Sequence, residues 1–184
     1  MAGLIEKITL SEKSASSFDY KKAFDDCFVD LSEELAPPPV VLGIGYHEYK
    51  NVNYLNPTFT VGEMSAIIAP QKTKKTFFKT AVAASYIGGN SSDYFPMMVS
   101  CRESDKYVLD FDTEQGKYYA QRAFRRVAEM VGNNYPNYLA FGMKKLSDED
   151  RVSLIDGVMN DPKYKGNIGM VFITYKRSLN QQYF

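Results

Sequence analysis

The sequence predicts an α/β fold: a three-layer sandwich with a mainly parallel sheet, helices on both faces, and a short N-terminal helical arm in front. Three observations carry this. Short strand patterns at residues 64–68, 106–114, 138–142 and 168–173 alternate with helical patterns of roughly 12 to 17 residues. Turn and cap residues punctuate the alternation, and a chain of 184 residues can bury one sizeable core with an appendage. The division expected is residues 1–57 for the arm, a helix and a lead-in strand, and residues 58–184 for the main core.

Composition narrows the function classes. Lys and Arg together number 22, and so do Asp and Glu, so the net charge is zero and no field of one sign draws the whole molecule onto nucleic acid or membrane. Cys27 and Cys101 are far apart and form no C-x-x-C pair, which fits a reduced chain without a zinc site. The N-terminus MAGLIEKITL has only short apolar runs, giving neither a signal peptide nor a spanning helix. The expected location is the cytoplasm, with no membrane partner.

In chain order, residues 1–15 read as a loosely held arm, and residues 17–35 carry Phe18, Ala23, Cys27, Val29 and Leu31 in a mainly helical pattern. Pro37-Pro38-Pro39 ends it and leads into the short strand Val40-Val41-Leu42-Gly43-Ile44. Gly43-x-Gly45 lacks the third glycine of a dinucleotide fingerprint and reads as a turn; the lone His47 reads as a surface loop residue. After a polar loop at residues 90–93, residues 94–101 are mixed, a hairpin being one option. Lys106 to Glu114 is a clearer strand ending in acids, and Gln115-Gly116 turns into a helix over residues 117–131. Alternation puts Asp110, Asp112 and Glu114 on one strand face, which repels itself unless it meets solvent, cations or a site. Tyr138 to Gly142 is the next strand. Ser147 with Asp150 resembles a capping box opening a helix over residues 148–159, which Asp161-Pro162 stops, and residues 168–173 form a last, fully apolar strand.

The chain is organised around MSAIIAPQKTKKTFFKTAVAASYIGG, residues 64–89. An apolar run, a basic loop and a small-residue helix give strand, loop, helix. In the phosphate-binding pattern G-x-x-x-x-G-K-[ST], backbone N–H groups at a helix N-terminus point at phosphate oxygens. Lys75 and Thr76 fall on its last two positions, where lysine reaches the β- and γ-phosphates and the threonine hydroxyl enters the Mg²⁺ shell. Ala69 and Lys74 replace the two glycines, so Lys74 has to tolerate a positive φ unless the loop differs. A solvated basic turn is the competing reading.

Four segments in order resemble RecA-like P-loop ATPases of the AAA type, in the hexameric replicative-helicase branch of plasmids, phages and mobile elements. They are ELAPPPVV, the variant loop VGEMSAIIAPQKTKKTFF, YVLDFDTEQG and NIGMVFI, and the resemblance covers residues 35–173. It implies a partial RecA-like core that binds ATP and Mg²⁺. Pro70, Gln71, Lys72, Thr73 and Lys74 would form the phosphate loop, with Lys75, Thr76 and Phe77 opening the helix. Lys75 would hold the phosphates, Thr76 would ligate Mg²⁺, and Glu114 would polarise the attacking water; Asp112 would stand behind them at most. Intact relatives bind single-stranded DNA and form hexamers. Here DNA binding is expected to be weak, with the cluster Arg122, Arg125 and Arg126 read as a solvated helix face.

The departure lies at Thr174, where relatives carry the Walker B aspartate after the apolar strand. The sensor strand, the DNA-contacting loops and the inter-subunit arginine are not found in this sequence, which reads as an interrupted product. Two readings follow: an ATPase domain or fragment of one, and a catalytically inactive nucleotide-binding remnant or interaction module.

Overall fold

The computed structural model describes residues 18–68, 70, 73–88, 97–101, 103, 105–132 and 135–175. The chain is α/β and divides into two units, Met1–Pro37 and Pro38–Phe184. The arm at residues 1–15 lies outside the described residues. The division falls at the prolines and not at residue 57, because pairing between residues 40–49 and 52–60 ties both sides of the expected boundary into one sheet.

In the first unit, α1 spans Tyr20–Cys27, shorter than the pattern over residues 17–35 predicts. Asp19 caps it by accepting from the Lys22 N–H, and Tyr20, Phe24 and Phe28 stack along one side. The helix stops because Asp30 offers the backbone an alternative: its Oδ1 accepts from both the N–H and the hydroxyl of Ser32.

The second unit contains two three-stranded sheets. The first is antiparallel, in the order β2-β1-β3, with β1 at Val40–Tyr49, β2 at Val52–Thr60 and β3 at Met98–Ser100. The sheet is therefore not mainly parallel across the unit. Lys50 and Asn51, with φ of 50° and 62°, form the two-residue turn of the β1–β2 hairpin; positive φ at both positions matches strand twist. Gly43 and Gly45 lie inside β1 at register shifts, not in a turn. Gly43 packs against the Leu55 side chain and the Asn56 carbonyl, and Gly45 adopts φ 66° while its N–H reaches the Met97 carbonyl. His47 is likewise in β1, exposed, with Nδ1 2.6 Å from Asn56 Oδ1.

The second sheet is parallel, in the order β5-β4-β6, with β4 at Tyr107–Asp112, β5 at Tyr138–Gly142 and β6 at Ile168–Thr174. Helix α3, Lys117–Val131, connects β4 to β5 and ends on Gly132 in the left-handed conformation. Helix α4, Asp148–Asn160, connects β5 to β6, and Ser147 caps it: Ser147 Oγ accepts from the Asp150 N–H and donates to the Asp150 carboxylate. Alternation along β4 serves two cores. Leu109 and Phe111 pack with Leu154, Ile155 and Val158 of α4, while Val108 faces Val82, Ala83 and Val127 on the other side.

That other side holds α2, Lys75–Gly88, in which every residue from Thr80 to Ile87 is buried. The helix is buried all round because Leu42 and Met98 of the antiparallel sheet meet it in the same cluster as Val108 and Val127. Tyr86 near its C-terminus lies against Gly169 at the start of β6, and its N-terminus lies beyond the end of β4, so α2 runs opposite to the parallel strands.

The apolar run at residues 64–68 is not a strand, contrary to its pattern. Met64 and Ile68 are 95% and 91% exposed. A strand exists only where a neighbour supplies backbone partners, and the parallel sheet ends at β6 with no further strand among the described residues.

Candidate functional site

The candidate site forms where α2 begins and β4 ends. Thr73 Oγ1 donates to the Pro70 carbonyl at 2.7 Å ahead of the helix. Lys74 then adopts φ 62°, and its carbonyl accepts the Phe78 N–H at 3.0 Å, starting α2. A lysine thus carries a left-handed backbone conformation directly before α2. Lys75 and Thr76 are half-buried and Phe77 is 44% exposed. Gln71 and Lys72 lie outside the described residues.

From the sheet side, β4 delivers two carboxylates that are both 0% exposed. Asp112 ends the strand and organises the loop that follows: its Oδ1 accepts the N–H groups of Glu114 at 2.9 Å and Gln115 at 2.8 Å. Its Oδ2 accepts from Gln115 Nε2 at 3.1 Å, and the same nitrogen lies 3.4 Å from Thr76 Oγ1. The fold therefore brings Thr76 to the loop that carries Glu114. Glu114 itself is half-buried, stands past the end of β4, and has no ion-pair partner among the described residues.

Asp110 meets the cation that the strand pattern calls for. Lys79 Nζ lies 2.6 Å from Asp110 Oδ1, and the Tyr138 hydroxyl donates to Asp110 Oδ2 at 2.7 Å. Burial pushes the Asp110 carboxyl above its ordinary range, more than the charge of Lys79 and the hydrogen bonds from Lys79 and Tyr138 pull it down. Burial, then the Asp110 charge, drives the Tyr138 hydroxyl far above its ordinary range, so it acts as a donor at any working pH. Neither Lys79 nor Tyr138 stands out in the sequence reading. The one signal is that Lys79 follows Lys75 by one helical turn at the edge of an otherwise apolar helix.

The arginines of α3 divide. Arg122 and Arg125 are exposed, while Arg126 is half-buried with its guanidinium 5.8 Å from the Phe77 ring centre, beside the start of α2. Thr174, at the place of the expected aspartate, is the register partner of Asp112 across the β4–β6 pair, and its carbonyl accepts from Thr113 Oγ1 at 2.6 Å.

The donors around Thr76 are hard oxygens: one hydroxyl and one carboxylate. Among the described residues no group of three or more His, Cys, Asp or Glu side chains could hold a metal. A hydrated magnesium ion carried in on phosphates fits such a sparse oxygen set, whereas a zinc or calcium cage does not. No helix among the described residues is long and apolar enough to cross a membrane. Comparison with known proteins finds no matching family model, no matching curated protein and no matching solved structure.

Proposed function

We propose that residues 70–77 bind the phosphates of a nucleoside triphosphate, ATP by the resemblance, together with Mg²⁺. One observation carries the reading: Thr76, at the opening of α2, meets the Asp112–Gln115 loop beyond the C-terminal end of the central parallel strand. That end of a parallel sheet is where ligands bind in α/β folds, and a helix N-terminus there offers free N–H groups to an anion. The left-handed Lys74 supports it, since a phosphate loop needs this backbone turn directly before its lysine.

In this reading Lys75 contacts the terminal phosphates, Thr76 supplies its hydroxyl to Mg²⁺, and Glu114 holds the attacking water by accepting its hydrogen bond. The metal would neutralise charge on the phosphates. Arg126 and Phe77 form a cationic and aromatic wall beside the loop. Assembly of copies into a ring and weak contact with single-stranded DNA belong to the same proposal.

A second reading is favoured by Thr174. By the resemblance an aspartate that helps to hold Mg²⁺ belongs there, so the chain would bind nucleotide without turning it over. The experiment for binding is titration with a fluorescent ATP analogue. Lys75→Ala should weaken affinity by about one to two decades, the worth of a charge-assisted phosphate contact. Equal affinity in wild type and variant refutes the site. Phosphate release that Glu114→Gln abolishes selects the enzyme, and background release selects the binding module.

A further inference from the structure

We propose that residues 64–68 add a fourth strand to the parallel sheet along the open edge of β6, and that this docking is coupled to phosphate binding at the start of α2. The coupling rests on the nucleotide reading above. In the structure all residues from 61 to 68 are exposed, Met64 at 95%, Ile67 at 51% and Ile68 at 91%. β6 has the matching need. Its residues 168–174 carry no charge and no proline, and among the described residues only β4 pairs with it. Uncharged apolar strands belong inside parallel sheets, whereas open edges are ordinarily blunted by charge or proline.

Direction and side both follow from the fold. Thr60, the last residue of β2, pairs with Val40, and the Val41 carbonyl accepts the Cys101 N–H. Ser100 Oγ in turn donates to the carbonyl of Tyr86, which lies against Gly169 at the start of β6. The chain thus leaves β2 on the side where the parallel strands begin. It reaches Thr76 beside the Asp112–Gln115 loop, where they end. Residues 61–75 therefore travel the length of the sheet in the direction of β4 and β6. β5 is an equally uncharged outer strand, and handedness decides between the two. Helices α2 and α3 share one face, since Val82 and Val127 meet in one cluster with Val108, and α3 carries the chain over that face from β4 outward to β5. A strand beyond β6 reaches β4 through α2 in the same sense over the same face, and so has the same hand. One beyond β5 would have the opposite hand, and parallel crossovers share a single hand in about 98% of cases. Met170 and Phe172 of β6 already pack against the cluster that α2 builds.

The link to the site is short. Pro70 stands two positions after Ile68, its carbonyl accepts from Thr73 Oγ1, and Lys74 turns into α2. The six residues 69–74 between strand and helix are an ordinary length for such a connection. A seated strand fixes this stem from one side as α2 fixes it from the other, so a ligand that needs the stem in place favours the docked state.

The test follows hydrogen exchange of the full chain by mass spectrometry, with and without a non-hydrolysable ATP analogue and Mg²⁺, alongside affinity for a fluorescent ATP analogue. At saturation, exchange at residues 64–68 and 168–174 should slow together by about 5-fold or more, the lower end of ordinary coupling. Ala66→Pro with Ile67→Pro removes two adjacent N–H groups, one of which faces β6 in any register. Both positions are exposed in the structure, so the variant should fold as wild type. It should lose the protection and bind about 5-fold or more weakly. Protection absent from either segment in the liganded wild type, or full affinity in the proline variant, overturns the docking while nucleotide binding stands. Protection that appears only with a doubled mass in sedimentation assigns the strand to a second copy and overturns pairing within one chain. Absence of analogue binding by wild type overturns the nucleotide reading and this inference together.

Discussion

Replacing Lys79 by methionine keeps the length of the side chain and removes its charge, leaving the Asp110 carboxylate in the core with the Tyr138 hydroxyl as its remaining donor among the described residues. The Lys79 side chain is 11% exposed and that of Asp110 1%, so water cannot take over the lost contact without opening the α2–β4 packing. Breaking a buried pair from one side costs about 3 to 5 kcal/mol, a large part of a typical stability of roughly 5 to 15 kcal/mol. With a urea slope of about 2 kcal/mol per molar, the midpoint should fall by about 2 M. The pH dependence has a definite sign. The folded state raises the Asp110 pKa, so its neutral form is favoured there, and stability from this group is complete below its ordinary value of 3.8 and lost as pH rises through the folded value. Lys79→Met removes the charge that opposes this rise and moves the folded value higher still. The gap between wild type and variant should therefore be small near pH 4 and widen toward pH 7, measured by urea unfolding across that range. A loss below about 1 kcal/mol at pH 7, or a gap independent of pH, would show that Asp110 is not held as a buried carboxylate.

Gly43→Ala should destabilise by about 1 to 3 kcal/mol, because the new Cβ would lie 2.6 Å from the Asn56 carbonyl oxygen, a backbone atom that cannot rotate away. Gly157→Ala in α4 meets nothing within 4 Å and should stabilise by about 0.5 to 1 kcal/mol, so the two alanines separate close packing from helix propensity in one unfolding assay. Lys74→Gly should raise stability by about 1 kcal/mol by relieving the left-handed conformation, whereas Lys74→Val should lower it by at least as much; equal melting of both would mean that Lys74 carries no backbone strain.

What the sequence makes legible is what short range decides. The helices at residues 117–131 and 148–160 are set by their own periodicity and ends, and the Ser147–Asp150 capping box is local. The strands at residues 107–112, 138–142 and 168–174 are dense in β-branched and aromatic residues. The β1–β2 hairpin escapes the sequence reading because its turn is Lys50-Asn51, which lacks the glycine that usually marks positive φ. Residues 64–68 escape it for the opposite reason. Their apolarity is local, but strand formation depends on a partner far away in the chain, and none is present among the described residues. At the proposed site, the basic loop and Glu114 are sequence motifs whose roles are part of the proposal. Lys79, Tyr138 and Gln115 are not, since their partners lie 31, 28 and 39 residues away and only packing of α2 on β4 brings them together.

The buried ion pair and the candidate site are two readings of one helix–strand fit. Thr76 and Lys79 are three residues apart on α2, about 4.5 Å along its axis and on one side of it. Asp112 and Asp110 are two residues apart on β4, about 6.6 Å along the strand and on one face. Because α2 runs opposite to β4, Thr76 meets the Asp112–Gln115 end while Lys79 meets Asp110, and both contacts are satisfied at a single rotation and height of the helix. Turning α2 by one residue, about 100°, would break both contacts at once and carry Lys79 away from the only carboxylate it pairs with among the described residues. Apolar burial from Thr80 to Ile87 works in the same sense, since Tyr86 is fully buried against Gly169 and a rotation would displace it. The Lys79–Asp110 pair and the packing of Tyr86 on Gly169 therefore act together in holding the Thr76 hydroxyl beside the Asp112–Gln115 loop.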